Sequence, residues 1–260
     1  MSDKKLIQEQ KEHFENIAGL YCEARKDLKH LCIKNFIWDY LFDFINKNNK
    51  KENVSILDAM CGNAECYDII KNKADFTFSY AAFDYSENMV KEAQKIHPEA
   101  NIFWGDITSI NLAVKYDMIF LIGGLHHVYN FKETAVNNIS ELLNENGLFV
   151  NFEPTHNNFL LRKVRERIYK KNSFFDDNTE KAFTTPELNA LMNEYGLSPV
   201  FQFYPGLLCY VLWYNPDAFP LLNIGSEKIA KTLCMQESKI WQSKLAYWLS
   251  FATFSCYRKS

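Results

Sequence analysis

The residues best equipped for chemistry stand where short apolar runs end. Val54-Ser55-Ile56-Leu57 closes on the acid Asp58, and Ala59-Met60-Cys61-Gly62-Asn63-Ala64 follows as a turn of small residues ahead of a helical pattern. In an open α/β sheet, a strand, a glycine turn and a helix N-terminus make the place where a cofactor docks. Asp84 closes the next apolar run 22 residues past Gly62, near the roughly 20-residue offset at which a carboxylate takes ribose hydroxyls. That spacing points to a cofactor containing a nucleoside. Farther on, Gly123-Gly124-Leu125-His126-His127 follows a fourth apolar run, Met118 to Ile122. A histidine there, with an ordinary pKa near 6.5, can take a proton from a phenol, hydroxyl, amine or activated carbon. His126 or His127 is the candidate general base, and a helix cap or packing against the cofactor is the other reading of each.

Charge narrows the choice of cofactor. A dinucleotide needs several glycines so that backbone can approach its pyrophosphate, and only Gly62 is present in this turn. Asp58 would also repel a phosphate. S-adenosylmethionine has no phosphate and carries an ammonium and a sulfonium, so a carboxylate beside one close-approach glycine suits it better. A nicotinamide oxidoreductase shares the strand, glycine turn and acid spacing, but lacks the further glycines.

These residues must be positioned by an alternation of elements. Apolar residues at three- and four-residue spacing predict helices over Leu6 to Tyr21 and Leu31 to Ile45. Strands are expected at Val54 to Asp58, Phe76 to Asp84, Asn101 to Trp104, Met118 to Ile122 and Leu148 to Phe152. Helices are expected between them at Ala64 to Ile70, Ser86 to Ile96 and Phe131 to Asn144. Strand–helix repetition implies right-handed crossovers and a parallel sheet with helices on both faces. Beyond Pro154 the regularity weakens into a charged segment, Arg162 to Asp177. Thr185-Pro186-Glu187 then opens a helix that stops at Gly196, and strands follow at Pro199 to Phe203 and Trp248 to Tyr257.

With these motifs in place, the chain resembles the class I S-adenosylmethionine-dependent methyltransferases, in particular the small-molecule branch of ubiquinone and menaquinone biosynthesis. Leu57 to Ala64 is similar to the family's first motif, with Met60-Cys61 and Ala64 where further glycines are usual. Phe83-Asp84-Tyr85-Ser86-Glu87-Asn88-Met89 is similar to the second, and Trp104-Gly105-Asp106-Ile107 to the third. The resemblance implies that Asp84 holds the ribose hydroxyls, that Tyr85, Met89 and Ile107 flank adenine, and that Asp106 receives the adenine amino group. It places Ile122, which ends the fourth strand, among the cofactor contacts beside Asp58 and Gly62. It also implies an N-terminal helix offering Tyr21 and Arg25 near the methionine end.

The fold so implied is a doubly wound Rossmann-like α/β domain with a seven-stranded sheet, mostly parallel, its last strand antiparallel. Residues 1–52 would form an N-terminal helical lid and residues 53–154 the cofactor-binding core. Residues 155–260 would supply the substrate-lid segment and the last strands. The expected activity is methyl transfer to oxygen, carbon or nitrogen of a small aromatic or lipophilic acceptor. A catalytically silent methyltransferase-like binding subunit is the rival reading from another class.

Composition sets limits on partners. The chain has 260 residues, 47% hydrophobic, with a formal net charge of −3. That length and apolar content suffice for a large core, and the charge leaves no excess of cations for a nucleic-acid backbone. Seven cysteines without a Cys-x-x-Cys pair suggest reduced thiols rather than zinc or disulfides, and no metal is expected. Cys61, with no basic activator nearby, reads as a small turn residue, and Asp117 as a local hydrogen-bonding acid. The N-terminal residues lack the apolar stretch of a signal peptide, and no apolar run approaches bilayer length, so a soluble cytoplasmic protein is expected. Thirteen aromatic residues fall between Val200 and Ser260. They fit both ordinary core packing and a cover for something flat or greasy.

Overall fold

The computed structural model of the protein describes residues 26–169, 181–216 and 219–260. The expected helix Leu6 to Tyr21, with Tyr21 and Arg25, lies outside the described residues. The first described helix, α1 (Leu28–Asn48), is capped by Asp27, whose side chain accepts from the amides of Lys29 and His30. Then follow β1 (Asn53–Ala59), α2 (Glu65–Lys73), β2 (Thr77–Asp84), α3 (Glu87–Ile96), β3 (Asn101–Trp104) and β4 (Tyr116–Ile122). A 3₁₀ segment (Leu125–Phe131) leads into α4 (Lys132–Leu142) and the long β5 (Leu143–Pro154). The remainder comprises α5 (Phe159–Tyr169), α6 (Thr185–Glu194), β6 (Leu197–Phe203), α7 (Leu208–Trp213), α8 (Glu227–Glu237), α9 (Lys244–Leu249) and β7 (Ala252–Lys259).

The seven strands form one sheet in the order β3-β2-β1-β4-β5-β7-β6. β7 runs antiparallel to both its neighbours, and every other pair is parallel. This is the expected α/β architecture. The strand order reverses between β1 and β4, and an open α/β sheet has its ligand crevice beyond the carboxyl ends of the strands flanking such a switch.

Period-two alternation divides the strand side chains between two cores. On β4, Met118 and Phe120 join Ile33, Ile37 and Leu41 of α1 and the buried Trp213 and Trp241 on one face. Ile119 and Leu121 pack on the other face with Val136 and Ile139 of α4 and Leu188 and Met192 of α6. Clamped on both faces, the strands hold their carboxyl ends in fixed register.

Three elements differ from the sequence expectation. The helix expected over Phe131 to Asn144 stops at Leu142, because Leu143 already pairs with Tyr116 of β4. The last strand begins at Ala252 rather than Trp248, because Ser243 caps a short helix by accepting from the Ala246 amide at 3.1 Å. The charged run from Arg162 is helical as far as Tyr169, with Arg165 turned inward. In each case a cap or a tertiary contact overrode the local pattern.

Candidate cofactor and acceptor site

The carboxyl ends of β1, β2 and β3 are stitched together by backbone. The Cys61 amide donates to the Phe83 carbonyl at 3.0 Å, and the Gly105 amide to the Asp84 carbonyl at 3.0 Å. Between β1 and α2 the chain takes left-handed conformations at Met60, Gly62 and Ala64 (φ 55°, 54° and 58°). Met60 and Ala64 thus hold a geometry that usually selects glycine, which is why a turn with one glycine can follow the same path. A Cβ built on Gly62 or on Gly123 (φ 70°) would meet nothing within 4 Å. Both glycines therefore border open space, one at the end of β1 and the other at the end of β4. Gly62→Ala is expected to cost about 1 kcal/mol through backbone conformation alone, read from denaturant unfolding. A loss of several kcal/mol would mean that the space is filled in solution.

Asp84 holds this turn. Its carboxylate accepts from the amides of Gly62 and Ser86, each at 2.9 Å, and is 5% exposed. Burial raises its pKa, opposed by those two amides and by the nearby His127. Asp58 is 2% exposed and accepts from the Tyr80 hydroxyl at 2.7 Å. Burial pushes its pKa up to about 7; the Tyr80 hydrogen bond opposes the shift and the charge of Asp84 adds to it. The folded state therefore holds the Asp58 proton more tightly than the unfolded chain, and stability falls as pH rises from about 4 to 7. Asp58→Asn is expected to raise stability at pH 8 by on the order of 1–3 kcal/mol, with a smaller gain near pH 4. Equal unfolding midpoints for the two proteins at pH 8 would contradict this.

Asp106, half-exposed after β3, accepts from the amide and hydroxyl of Thr108, both at 2.8 Å. Tyr85 and Met89 are half-buried at the start of α3, and the Tyr85 carbonyl accepts from the Trp104 indole at 2.9 Å. Ile107 is 2% exposed, with its side chain in the core beside Leu57 and Ala59. Ile122, half-buried at the end of β4, packs towards the α1 face of the sheet.

Opposite the turn lies the loop after β4. A Cβ on Gly124 would lie 3.0 Å from the Met60 sulfur, so the β1 and β4 loops meet there. The two histidine rings stand 3.8 Å apart between centroids. Beneath them is Glu153 near the end of β5, fully buried. Its carboxylate accepts from the Leu125 amide at 2.9 Å and the His126 amide at 3.2 Å. It also lies 2.8 Å from His126 Nδ1 and accepts from the Asn151 side chain at 3.1 Å. A carboxylate on Nδ1 fixes the ring orientation and leaves Nε2 as the proton acceptor.

The sequence expectation missed Glu153, although the rule that singled out Asp58 and Asp84, an acid closing an apolar run, applies equally to Phe152-Glu153-Pro154. Tyr80 was missed as well, since nothing local marks its bond to Asp58. The expected structural residues behave as such. Burial drives the Cys61 thiol well above its ordinary pKa, which leaves it a poor nucleophile. Asp117 lies at the opposite end of β4 and accepts from Lys51, Ser55 and Asn144, its pKa lowered to about 2 by those bonds against the effect of burial.

A doubly wound sheet with acids at the ends of β1, β2 and β5, closed by an antiparallel last strand, defines the class of α/β proteins that handle a nucleoside cofactor at the switch point. Within that class the chain belongs to a methyltransferase family: residues 50–252 match the family described as "Methyltransferase domain". No curated protein sequence matches the chain. Among solved structures it is similar to a SAM-dependent methyltransferase from Thermotoga maritima, 16% identical, covering 96% of this chain and 99% of that one with a TM-score of 0.60. A SAM-dependent methyltransferase from Methanosarcina mazei is 13% identical over 83% of this chain and 96% of that one, with a TM-score of 0.55. The cyclase SpnF is 13% identical over 85% and 80% of the two chains, with a TM-score of 0.56. A fold shared with a cyclase shows that function must be argued from the site.

Proposed function

We propose that this chain transfers a methyl group from S-adenosylmethionine to a small aromatic or lipophilic acceptor, at oxygen, carbon or nitrogen. The observation that carries the reading is the meeting of the acid-held Asp58–Gly62–Asp84 turn with the Glu153–His126 pair at the switch point. Bound there, the cofactor supplies an electrophilic methyl group. Asp58 faces its ammonium, Asp84 its ribose and Asp106 the adenine amino group, while Tyr85 and Met89 flank the ring and Ile107 backs that wall from the core. Gly62 and Ile122 line the approach, and Tyr21 and Arg25 attend the methionine end. His126 takes the acceptor's proton and Glu153 positions it; His127, beside Asp84, serves the cofactor side.

Residues 1–52 and the segments after residue 154 cover the acceptor around the 53–154 core. Free thiols at the six described cysteines support a reducing, cytoplasmic setting. The buried Asp58 and the turn with a single glycine support S-adenosylmethionine over a dinucleotide, which would bring phosphates to that acid. Incubation with methyl-labelled cofactor and a panel of phenols, quinols and secondary amines tests the reading. Label in an extracted product supports it. Tight cofactor binding with no label in any acceptor would favour a silent binding subunit.

A further inference from the structure

α5 and α9 carry apolar side chains that neither core covers. On α5, Phe159, Leu160 and Val164 are 65%, 58% and 45% exposed. On α9, Leu245, Trp248 and Leu249 are 58%, 52% and 43% exposed, while Ala246 between them is fully buried. Both helices rest on one stretch of chain. Arg165 of α5 donates to the Phe251 carbonyl and stacks on the Phe251 ring at 5.3 Å. Asn157, just before α5, donates to the Tyr247 carbonyl of α9 at 3.0 Å. Arg165 and Ala246 are the inward anchors, so helical spacing turns the six apolar residues outward.

Cations flank them. Lys163 and Arg167 are exposed on α5 and Lys244 on α9, while Glu166 is engaged by Arg162 at 2.8 Å. The surface is therefore cationic on a chain whose formal net charge is −3. Exposed leucine, phenylalanine and tryptophan interleaved with lysine and arginine form the pattern of a surface that lies in a membrane interface. A second copy of this chain would bring its own cations against these, and a neutral apolar partner would leave them without a counterpart.

We propose that α5 and α9 dock the protein onto the face of an anionic lipid bilayer, with the six apolar side chains in the headgroup region and Lys163, Arg167 and Lys244 on lipid phosphates. No helix among the described residues is long and apolar enough to cross a membrane, so the attachment is peripheral. The proposal is independent of the methyl-transfer reading. α5 begins shortly after Pro154 ends β5, and docking here holds the Glu153 strand end close to the bilayer.

Co-sedimentation of the full chain with vesicles tests this, using phosphatidylcholine alone or with about 30% phosphatidylglycerol, at low and at high salt. At least about tenfold stronger binding to the anionic vesicles is expected, weakened by salt. The double variant Lys163→Glu/Arg167→Glu should lose the anionic preference. Leu160→Ser/Trp248→Ser should weaken binding to the anionic vesicles at least tenfold, with an unchanged unfolding midpoint because these side chains are exposed. Absence of binding to either vesicle, or binding that both double variants retain, would overturn the proposal. So would a dimer, seen without vesicles, that Leu160→Ser/Trp248→Ser dissociates, because that would assign the surface to a second copy.

Discussion

Replacing Asp84 with alanine is expected to weaken binding of S-adenosylhomocysteine by two orders of magnitude or more, measured by calorimetric titration. Two losses combine. The carboxylate no longer meets the ribose, and the half-buried amide of Gly62 and the buried amide of Ser86 lose their acceptor. An unsatisfied buried amide costs about 1–3 kcal/mol, and the turn it belongs to is the one that must face the cofactor. Asp84→Asn keeps one acceptor oxygen and should fall between wild type and alanine. Unaltered affinity in Asp84→Ala would show that the ribose is held elsewhere.

Replacing His126 with alanine is expected to lower the methyl-transfer rate about 10²- to 10⁴-fold, the usual contribution of a positioned base. Affinity for S-adenosylhomocysteine should stay within about threefold, since His126 faces the acceptor in this account. Glu153→Gln is the sharper probe. Glutamine retains an oxygen for the Leu125 or His126 amide but not the charge beside Nδ1. A roughly 10- to 100-fold drop in kcat with an unchanged KM for the acceptor is expected, because orientation of the base matters in the transition state and not in binding. A purely structural Glu153 would lower the unfolding midpoint and leave kcat per folded molecule unchanged. His127→Ala, by contrast, should alter cofactor affinity more than rate, since His127 influences the Asp84 carboxylate.

Much of this site is legible in the sequence because its parts are local. Apolar runs ending in Asp58 and Asp84 locate two strand ends, and the dependence of a left-handed turn on small residues locates Gly62 between them. The strand-and-helix rhythm from Val54 to Phe152 yields the sheet, since strands buried on both faces read as short continuous apolar runs set between helical patterns. What escaped depends on register. Glu153 meets His126 only because β5 pairs with β4 so that Phe152 lies beside Ile122, which brings residues 27 apart into contact. Tyr80 reaches Asp58 across the β1–β2 ladder, 22 residues away, for the same reason. The later start of β7 was decided by a serine cap and the earlier end of the helix before β5 by the pairing of Leu143 with Tyr116, neither of which disturbs a hydrophobic pattern. The helix in the charged segment depends on an inward arginine that sequence periodicity treats as a surface residue.

If the turn from Asp58 to Ala64, closed by Asp84, holds S-adenosylmethionine, the demethylated product should bind there whatever the acceptor. S-adenosylhomocysteine titrated into the purified protein in a calorimeter should bind with a Kd near micromolar, about −8 kcal/mol. Affinity should strengthen as pH rises through about 7, because Asp58, whose pKa burial has raised to about 7, must ionise to meet the ligand's ammonium. No detectable heat at any pH between 6 and 8, with NADH bound instead, would assign the turn to a dinucleotide.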